Sequence, residues 1–571
     1  MLTTNSYQPP CPIDGLPTEI LGYIFGFGVG IEEVKVYVND EDREDREDHD
    51  DHDDHANDGA EEALNIGFNG SFNIVAENGD GPLFQILVSH VCRRWRQVVL
   101  NLHAFWTMLD FNGTLHLDKA KAFIDRARGF PLKINIDCTP SKVKQTDEED
   151  PPDHPLDNKE ANNTVMLLQN DLTQILDLLE PEVSHWGEFI FHVMARDYVQ
   201  PLLARLHKLP NAPLLKKFQL FHSLFLLDYE FLNANYLPFH GNAPLLESAV
   251  FRGIHIDWDN SLLFLQGLCE FELSYHTGDF RPSYTTFTQI IKKSPNLRNL
   301  SLSLSGPQSD DAGQWGPEPF DIPSVHYLEL QFHELGYANA LVQHFHFPNL
   351  RALALRFEDE DYTPFVRSFL VPVKDRSNSI LSGLESLKIS GLPCDVPTVE
   401  AMLQQLQKLC ILHLNCSGSE EVLIFKKLID PLAGRKKNRD ALIPPKIFCP
   451  RLKYLTVTVV SDSQLKALVT ARKNAGVPLK SLTLSYDDGI TADTVTWLRK
   501  NVELVEFFQP LVDDDDSDDS EEDEEDESDD DSEEHEDDED KDDEDEDDED
   551  KDDEDEDDED EDDEDEDGDS T

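Results

Sequence analysis

Two short segments of the chain carry residue types that could do chemistry. His49, His52 and His55 stand three residues apart among aspartates, and imidazole and carboxylate groups are common metal ligands. A segment this acidic cannot bury a core that would fix the ligands, so we interpret it as a solvated charge run. Gly26–Gly30 is similar to a glycine-rich phosphate loop, but no strand precedes it and no basic residue follows. We therefore expect a helix to end there and lead into a linker.

The cysteines give no sign of a reactive or structural centre. All eight are scattered and no two have Cys-x-x-Cys spacing, which predicts reduced, mostly buried thiols and not a disulfide framework or zinc site. The sequence contains no nucleophile elbow and no Walker motif. We accordingly predict a protein that is not an enzyme and that needs no metal or cofactor. Reduced thiols and an N-terminus without signal-peptide features favour a cytoplasmic or nuclear location.

Negative charge is concentrated in two stretches. The 571 residues carry a net charge of −70, of which residues 513–571 contribute −47 and residues 40–58 contribute −10, leaving −13 for the rest. Such stretches are predicted to be disordered, whereas the rest has the composition of a globular body. The overall excess of negative charge disfavours nucleic acid as a partner, because phosphates would be repelled. We also predict no membrane-spanning segment, since no apolar run approaches the length required.

Two amphipathic segments near the N-terminus are predicted helices. In the first, Pro17 suits the opening turn and apolar residues recur at helical spacing up to Phe25. In the second, Val88–Leu102 places its apolar residues at steps of three and four, with arginines opposite. Periodicity alone would make both ordinary core helices.

The residue types in these two segments form a more specific pattern than their periodicity. Leu16-Pro17-x-Glu-Ile20-Leu21-x-x-Ile-Phe, followed by Val91-Cys92-Arg-x-Trp95-Arg and then Trp106, resembles the F-box family. The resemblance implies docking onto the Skp-type adaptor of a cullin–RING ubiquitin ligase. The adaptor contacts it implies are Leu16, Pro17, Ile20, Leu21, Val91, Cys92 and Trp95. The chain departs from the family in an acidic insert at about 28–80, and Pro82–Leu87 is the candidate for part of the family's middle.

A second pattern recurs along the body from residue 212. It places apolar residues at positions one, four and six, as in Leu297, Leu300 and Leu302, and most copies are followed by helical spacing. The triplets begin at residues 215, 246, 268, 297, 325, 350, 384, 409, 452, 479 and 502. One strand and one helix per copy is typical of leucine-rich repeats, whose units must stack to bury their apolar faces. A sandwich of unrelated strands is the alternative.

These patterns predict an α/β repeat fold: a small helical F-box followed by an irregular leucine-rich-repeat solenoid. The predicted boundaries are a disordered N-terminus at 1–11, the interrupted F-box at 12–110, linker helices and divergent first repeats at 115–211, the solenoid at 212–510, and a disordered acidic tail at 511–571. Within 115–211 we expect helices at 117–128 and 165–179 and strands at 131–136 and 186–194.

The function predicted is that of a substrate receptor in a Skp–cullin–F-box ligase, with the repeats binding an unidentified protein target. Residues on the strand face opposite the core would contact that target, by period-two alternation. The candidates are Ser301, Ser303, Tyr327, Glu329, Arg356, Lys388, His413, Tyr454 and Thr456. Two alternatives remain open: a repeat scaffold outside any ligase, and a chaperone-like binder of basic proteins that uses the acidic tail.

Overall fold

Fourteen parallel strands form the framework of the chain. In the computed structural model the described residues are 12–29, 83–142, 164–222, 236–276, 278–308, 315, 318–357, 360–372, 379–416, 419–429 and 447–508. The predicted disordered N-terminus, the acidic insert with its three histidines, and the acidic tail fall outside these ranges.

The strands of this sheet follow one another in the order of the chain, and each pairs in parallel with the next. The strands are β1 (Met108–Asn112), β2 (Leu132–Cys138), β3 (Trp186–Val193), β4 (Lys217–His222), β5 (Ser248–Arg252), β6 (Glu270–Ser274), β7 (Asn299–Ser303), β8 (Tyr327–Gln331), β9 (Ala352–Arg356), β10 (Ser386–Ile389), β11 (Ile411–Asn415), β12 (Tyr454–Thr458), β13 (Ser481–Ser485) and β14 (Leu504–Phe508). This order confirms the α/β class and is compatible with a solenoid-like repeat.

Thirteen helices of the described residues precede or connect these strands. They are α1 (Thr18–Val29), α2 (Phe84–Val91), α3 (Arg93–Asn101), α4 (Leu117–Ala127), α5 (Gln169–Leu179), α6 (Val199–Lys208), α7 (Tyr284–Lys293), α8 (Leu335–His344), α9 (Thr363–Leu370), α10 (Val396–Gln405), α11 (Ser419–Ile429), α12 (Asp462–Asn474) and α13 (Ala492–Asn501). Short 3-10 turns, such as His103–Trp106 before β1, fill several other connections.

The leucine pattern marks the strands of the repeat. A strand begins two residues after the first apolar residue of every predicted triplet, as Asn299 does after Leu297 and Tyr454 after Leu452. The sheet also extends further towards the N-terminus than residue 212, because β1, β2 and β3 belong to it. Residues 115–211 therefore contribute strands to the same sheet. Helix α5 begins at Gln169, four residues later than expected.

Period-two alternation divides each strand between the core and the opposite face. Leu300, Leu328, Leu353 and Leu387 lie side by side in register on β7 to β10, and each is at most 2% exposed. Burial of one such side chain contributes about 1.5–3 kcal/mol. The stacked leucines therefore hold neighbouring repeats together and fix which side chains face outward.

Candidate functional site

The two predicted F-box segments pack against each other. The rings of Phe25 in α1 and Trp95 in α3 have centroids 5.0 Å apart at an interplanar angle of 56°. The guanidinium of Arg94 donates a hydrogen bond to the backbone carbonyl of Leu16. Trp106, 1% exposed, packs edge-on against Phe123 at 5.0 Å, beside the start of β1. The structure thus brings the two segments together into one helical module that joins the sheet.

The periodicity predicted one helix over Val88–Leu102, but the structure has two helices in this segment. Cys92 has extended backbone angles (φ −156°, ψ 169°) and separates α2 from α3. Its Sγ accepts a hydrogen bond from the Trp95 backbone N–H at 3.4 Å, which caps α3. The break turns Val91 away from the core, so that it is 60% exposed, while Val99 in α3 is fully buried.

The glycine-rich segment contains the end of a helix, as the sequence predicted. Helix α1 begins at Thr18, one residue after the expected start, and runs through Val29. Gly28 lies against Phe84 of α2, and a Cβ at this position would come within 2.3 Å of the Phe84 ring. Close packing of α2 on α1 therefore accounts for this glycine.

Exposed apolar side chains are concentrated on this module. Of the seventeen large apolar residues that are exposed in the described part of the chain, seven lie in α1, in α2 or directly before α2. We call them the apolar patch: Ile20, Ile24, Phe27, Leu83, Phe84, Leu87 and Val91. Their helical spacing gives each helix one exposed stripe, and scattered surface apolar residues would not cluster in this way.

The predicted adaptor contacts divide between surface and interior. Ile20 is 44% exposed, and Pro17 and Cys92 are also exposed, as is Val91. Leu16 and Trp95 are partly buried and pack against the core. Leu21 is fully buried, so it supports the helix pair from within and is not at the surface.

The nine predicted target contacts all lie on the strand face opposite the leucine core, in strands β7 to β12. Register pairs join neighbouring positions on successive strands: Ser301 with Glu329, Lys388 with His413, and His413 with Thr456. Between them, Ala352 and Ala354 of β9 form a small buried cluster with Tyr327. The alternation rule therefore selected one face correctly.

Several of these nine side chains are engaged within the face itself. Glu329, 4% exposed, accepts hydrogen bonds from Ser301 at 2.9 Å and from Tyr327 at 3.1 Å, and also from Gln331. Burial and the Glu329 carboxylate raise the pKa of Tyr327 well above its usual value. Ser303 is only 5% exposed. This part of the face is a closed hydrogen-bond network and offers few groups to a partner.

The network continues into residues that the sequence did not single out. Glu272 on β6 accepts hydrogen bonds from Ser274 at 2.9 Å and from Arg252 at 3.3 Å. Burial raises the pKa of Glu272, and the nearby Glu329 carboxylate adds to that rise. Arg252 is thus the close cation of the Glu272 carboxylate. Register with the predicted contacts was the available signal, because Glu272 pairs directly with Ser301.

The other end of the face is cationic. Arg356 lies over the Phe332 ring, with its guanidinium carbon 4.7 Å from the centroid. Lys388 and His413 are adjacent on β10 and β11. Burial lowers the pKa of His413 to about 3, and the Lys388 charge adds to this, so the imidazole is neutral at physiological pH. The strand face therefore changes from acidic at β6–β8 to basic at β9–β10.

The described residues contain no group of three or more His, Cys, Asp or Glu side chains arranged to hold a metal ion. Across the same ranges, every helix is too short or too polar to cross a bilayer.

Comparison with known proteins adds no assignment. No protein-family model matches the chain, and no curated protein matches it either.

Proposed function

We propose that the chain is a substrate receptor of a Skp–cullin–F-box type ubiquitin ligase. Its helical module would act as the F-box that docks the Skp-type adaptor, and its strands would form an irregular leucine-rich-repeat solenoid that binds the target. The chain itself would carry no catalytic residue. Ubiquitin transfer would result from proximity, because a target held near the charged carrier reacts at a raised effective concentration.

One observation carries the proposal. The motif halves, separated by residues 30–82, pack through Phe25 and Trp95 and leave seven large apolar side chains exposed on the same helices. A module whose only role was to cap the sheet would gain stability by covering these side chains. An apolar surface on packed helices suits a partner that contributes its own apolar helices. Such a role would be carried out in the cytoplasm or the nucleus.

Co-purification of the full chain with its adaptor and cullin tests the proposal. The test variant is Ile20→Asp with Val91→Asp, which places two charges on the apolar patch. The matched control is Leu245→Asp with Leu263→Asp, two side chains that are 47% and 66% exposed and lie far along the chain. Hot-spot residues of an interface cost about 2 kcal/mol or more when lost, so the test variant should lose the adaptor and the control should retain it.

Two results would contradict the proposal. If wild-type protein captures no adaptor, the chain is a repeat scaffold or an acidic binder of basic proteins, as the alternatives hold. If both variants capture the adaptor as well as wild type does, the apolar patch is not the docking surface.

A further inference from the structure

A basic cleft opens at the edge of the sheet where strands β9 to β13 begin. The cavity has a volume of about 700 Å³. Five cationic residues line it, accompanied by a single carboxylate, that of Glu385. The cationic residues are Arg351, Lys408, Arg451, Lys453 and Lys480.

The backbone of the sheet edge fixes where this lining lies. The N–H of Glu385 bonds to the carbonyl of Arg351 at 2.7 Å, and the N–H of Cys410 bonds to that of Glu385 at 2.8 Å. In the same way, the N–H of Lys453 bonds to the carbonyl of Cys410 at 2.9 Å, and the N–H of Lys480 bonds to the carbonyl of Lys453 at 2.8 Å. These residues each stand directly before a strand, so the cleft is built on a rigid edge and needs little ordering to bind a ligand.

Among the described residues, the cations of the cleft have no carboxylate within ion-pair distance. Within the described ranges, none of the five cationic side chains forms an ion pair or a side-chain hydrogen bond. The same edge near β4 behaves differently, since Lys216 pairs with Glu247 at 3.1 Å. Within the part of the chain that the structure describes, the edge therefore carries an ion pair at one end and unpaired cations at the other.

A buried guanidinium adds to the positive field. Arg472 in α12 is fully buried and donates hydrogen bonds to the carbonyls of Cys449 at 3.0 Å and Leu452 at 3.1 Å. Leu452 itself lines the cleft. No carboxylate of the described residues pairs with Arg472, and a charge in such a low-dielectric site is weakly screened.

We propose that this basic cleft binds an extended, acidic peptide segment of a partner protein. The lining spans four strand-to-strand steps, about 19 Å, which matches about six residues of extended chain and exceeds the reach of one small anion. Nucleic acid fits less well, because the described lining of the cleft includes no aromatic side chain on which bases could stack. That such a peptide is the target of a ligase rests on the proposed function. That the cleft binds an acidic peptide does not.

Fluorescence anisotropy with the full chain tests the assignment directly. The probe is a labelled peptide of about eight glutamates in about 0.15 M salt, with a glutamine peptide of equal length as the uncharged comparison. The cleft variant is Lys453→Glu with Lys480→Glu. The matched control is Arg499→Glu with Lys500→Glu, which makes the same charge change on exposed residues of α13.

We expect wild type and the α13 variant to bind the glutamate peptide and not the glutamine peptide. The cleft variant should bind about tenfold more weakly or worse, because two charge-assisted contacts become repulsive. Equal binding by all three proteins, no binding by wild type, or tighter binding of an oligothymidine of equal charge would overturn the proposal.

Alkylation of cysteines gives a second measurement that needs no variant. Cys410 lines the cleft, while Cys269 stands at the equivalent edge position before β6 and is exposed. The glutamate peptide should slow alkylation of Cys410 and leave that of Cys269 unchanged. Equal rates with and without peptide at Cys410 would argue against the cleft. Adaptor capture by wild type separates the two proposals. A wild-type chain that captures no adaptor refutes the ligase role, whereas a wild-type chain that captures the adaptor but does not bind the glutamate peptide refutes this assignment alone.

Discussion

Phe25 and Trp95 pack with their ring centroids 5.0 Å apart although they belong to helices that residues 30–82 separate in sequence. The contact links α1 to α3, and α2 packs on both. Closing a longer connection costs free energy only slowly with its length, so a helical module can carry a long insert between its parts. The pair therefore provides a way to measure whether the module forms as a unit.

A double-mutant cycle on this pair should show coupling. Phe25→Leu and Trp95→Leu each remove a ring while retaining an apolar side chain. We expect the double variant to be less destabilised than the sum of the single variants by about 0.5–1.5 kcal/mol, the typical worth of an aromatic pair. Urea unfolding of the full chain measures the three free energies. Strict additivity would mean that the rings do not interact in solution.

Two glycines with left-handed backbone angles should respond very differently to alanine. Gly391 has φ +95°, and a Cβ there would come within 2.3 Å of the Phe357 carbonyl oxygen. Gly267 has φ +72° and no atom within 4 Å of that position. Gly267→Ala should cost about 1 kcal/mol for the left-handed conformation alone. Gly391→Ala should cost clearly more, because backbone must move, and equal melting temperatures for the two variants would contradict this.

The placement of these features shows how much of the fold the sequence could predict. The start of every strand from β4 to β14 was predictable, because each leucine triplet fills one layer of the same core. The face of the nine candidate contacts was predictable for the same reason. The break at Cys92 was not, since neither Gly nor Pro marks it and only its backbone angles show it.

The basic cleft was beyond sequence reasoning for a different reason. Its cations precede strands that connections of unequal length separate, so no spacing in the sequence relates Arg351 to Lys480. Only the stacking of the strands brings them to one edge. The burial of Leu21 was equally hidden, because helical periodicity cannot distinguish a face that packs on a neighbouring helix from one that meets a partner.

Buried histidines should make stability depend on pH. The fully enclosed His276 ring donates from Nε2 to the Ile254 carbonyl at 3.0 Å, and its Nδ1 lies 2.9 Å from the Ser305 hydroxyl. Burial lowers the pKa of His276 to about 4 and that of His333 to about 3, against about 6.5 in the unfolded chain. Between these values the unfolded state binds more protons, so the free energy of unfolding should fall as pH drops from about 6.5 to 4.

The variant His276→Gln isolates one of these contributions. Glutamine can keep a donor to the Ile254 carbonyl but does not titrate. Urea midpoints at several pH values between about 7 and 4 should therefore show a shallower loss of stability for the variant than for wild type. Parallel pH profiles would show that His276 is protonated in the folded protein or exposed to solvent.

Arg472 should be essential for stability in a way that surface arginines are not. Its guanidinium donates to carbonyls of the segment that leads into β12, and burial lowers its pKa to about 10, so it stays charged. Arg472→Met leaves those acceptors without a donor and should cost about 3 kcal/mol or more. Arg499→Met, on an exposed position of α13, should change stability by less than about 0.5 kcal/mol. Similar losses in both variants would contradict the role given to Arg472.

Amide hydrogen exchange of the full chain, with and without a purified Skp-type adaptor, tests the central claim most directly. If the helical module is the docking surface, adaptor binding should slow exchange in Thr18–Val29 and Phe84–Asn101 and leave the strands from β4 onward unchanged. Unchanged exchange in both helical segments at saturating adaptor, or protection confined to the strands, would contradict the account.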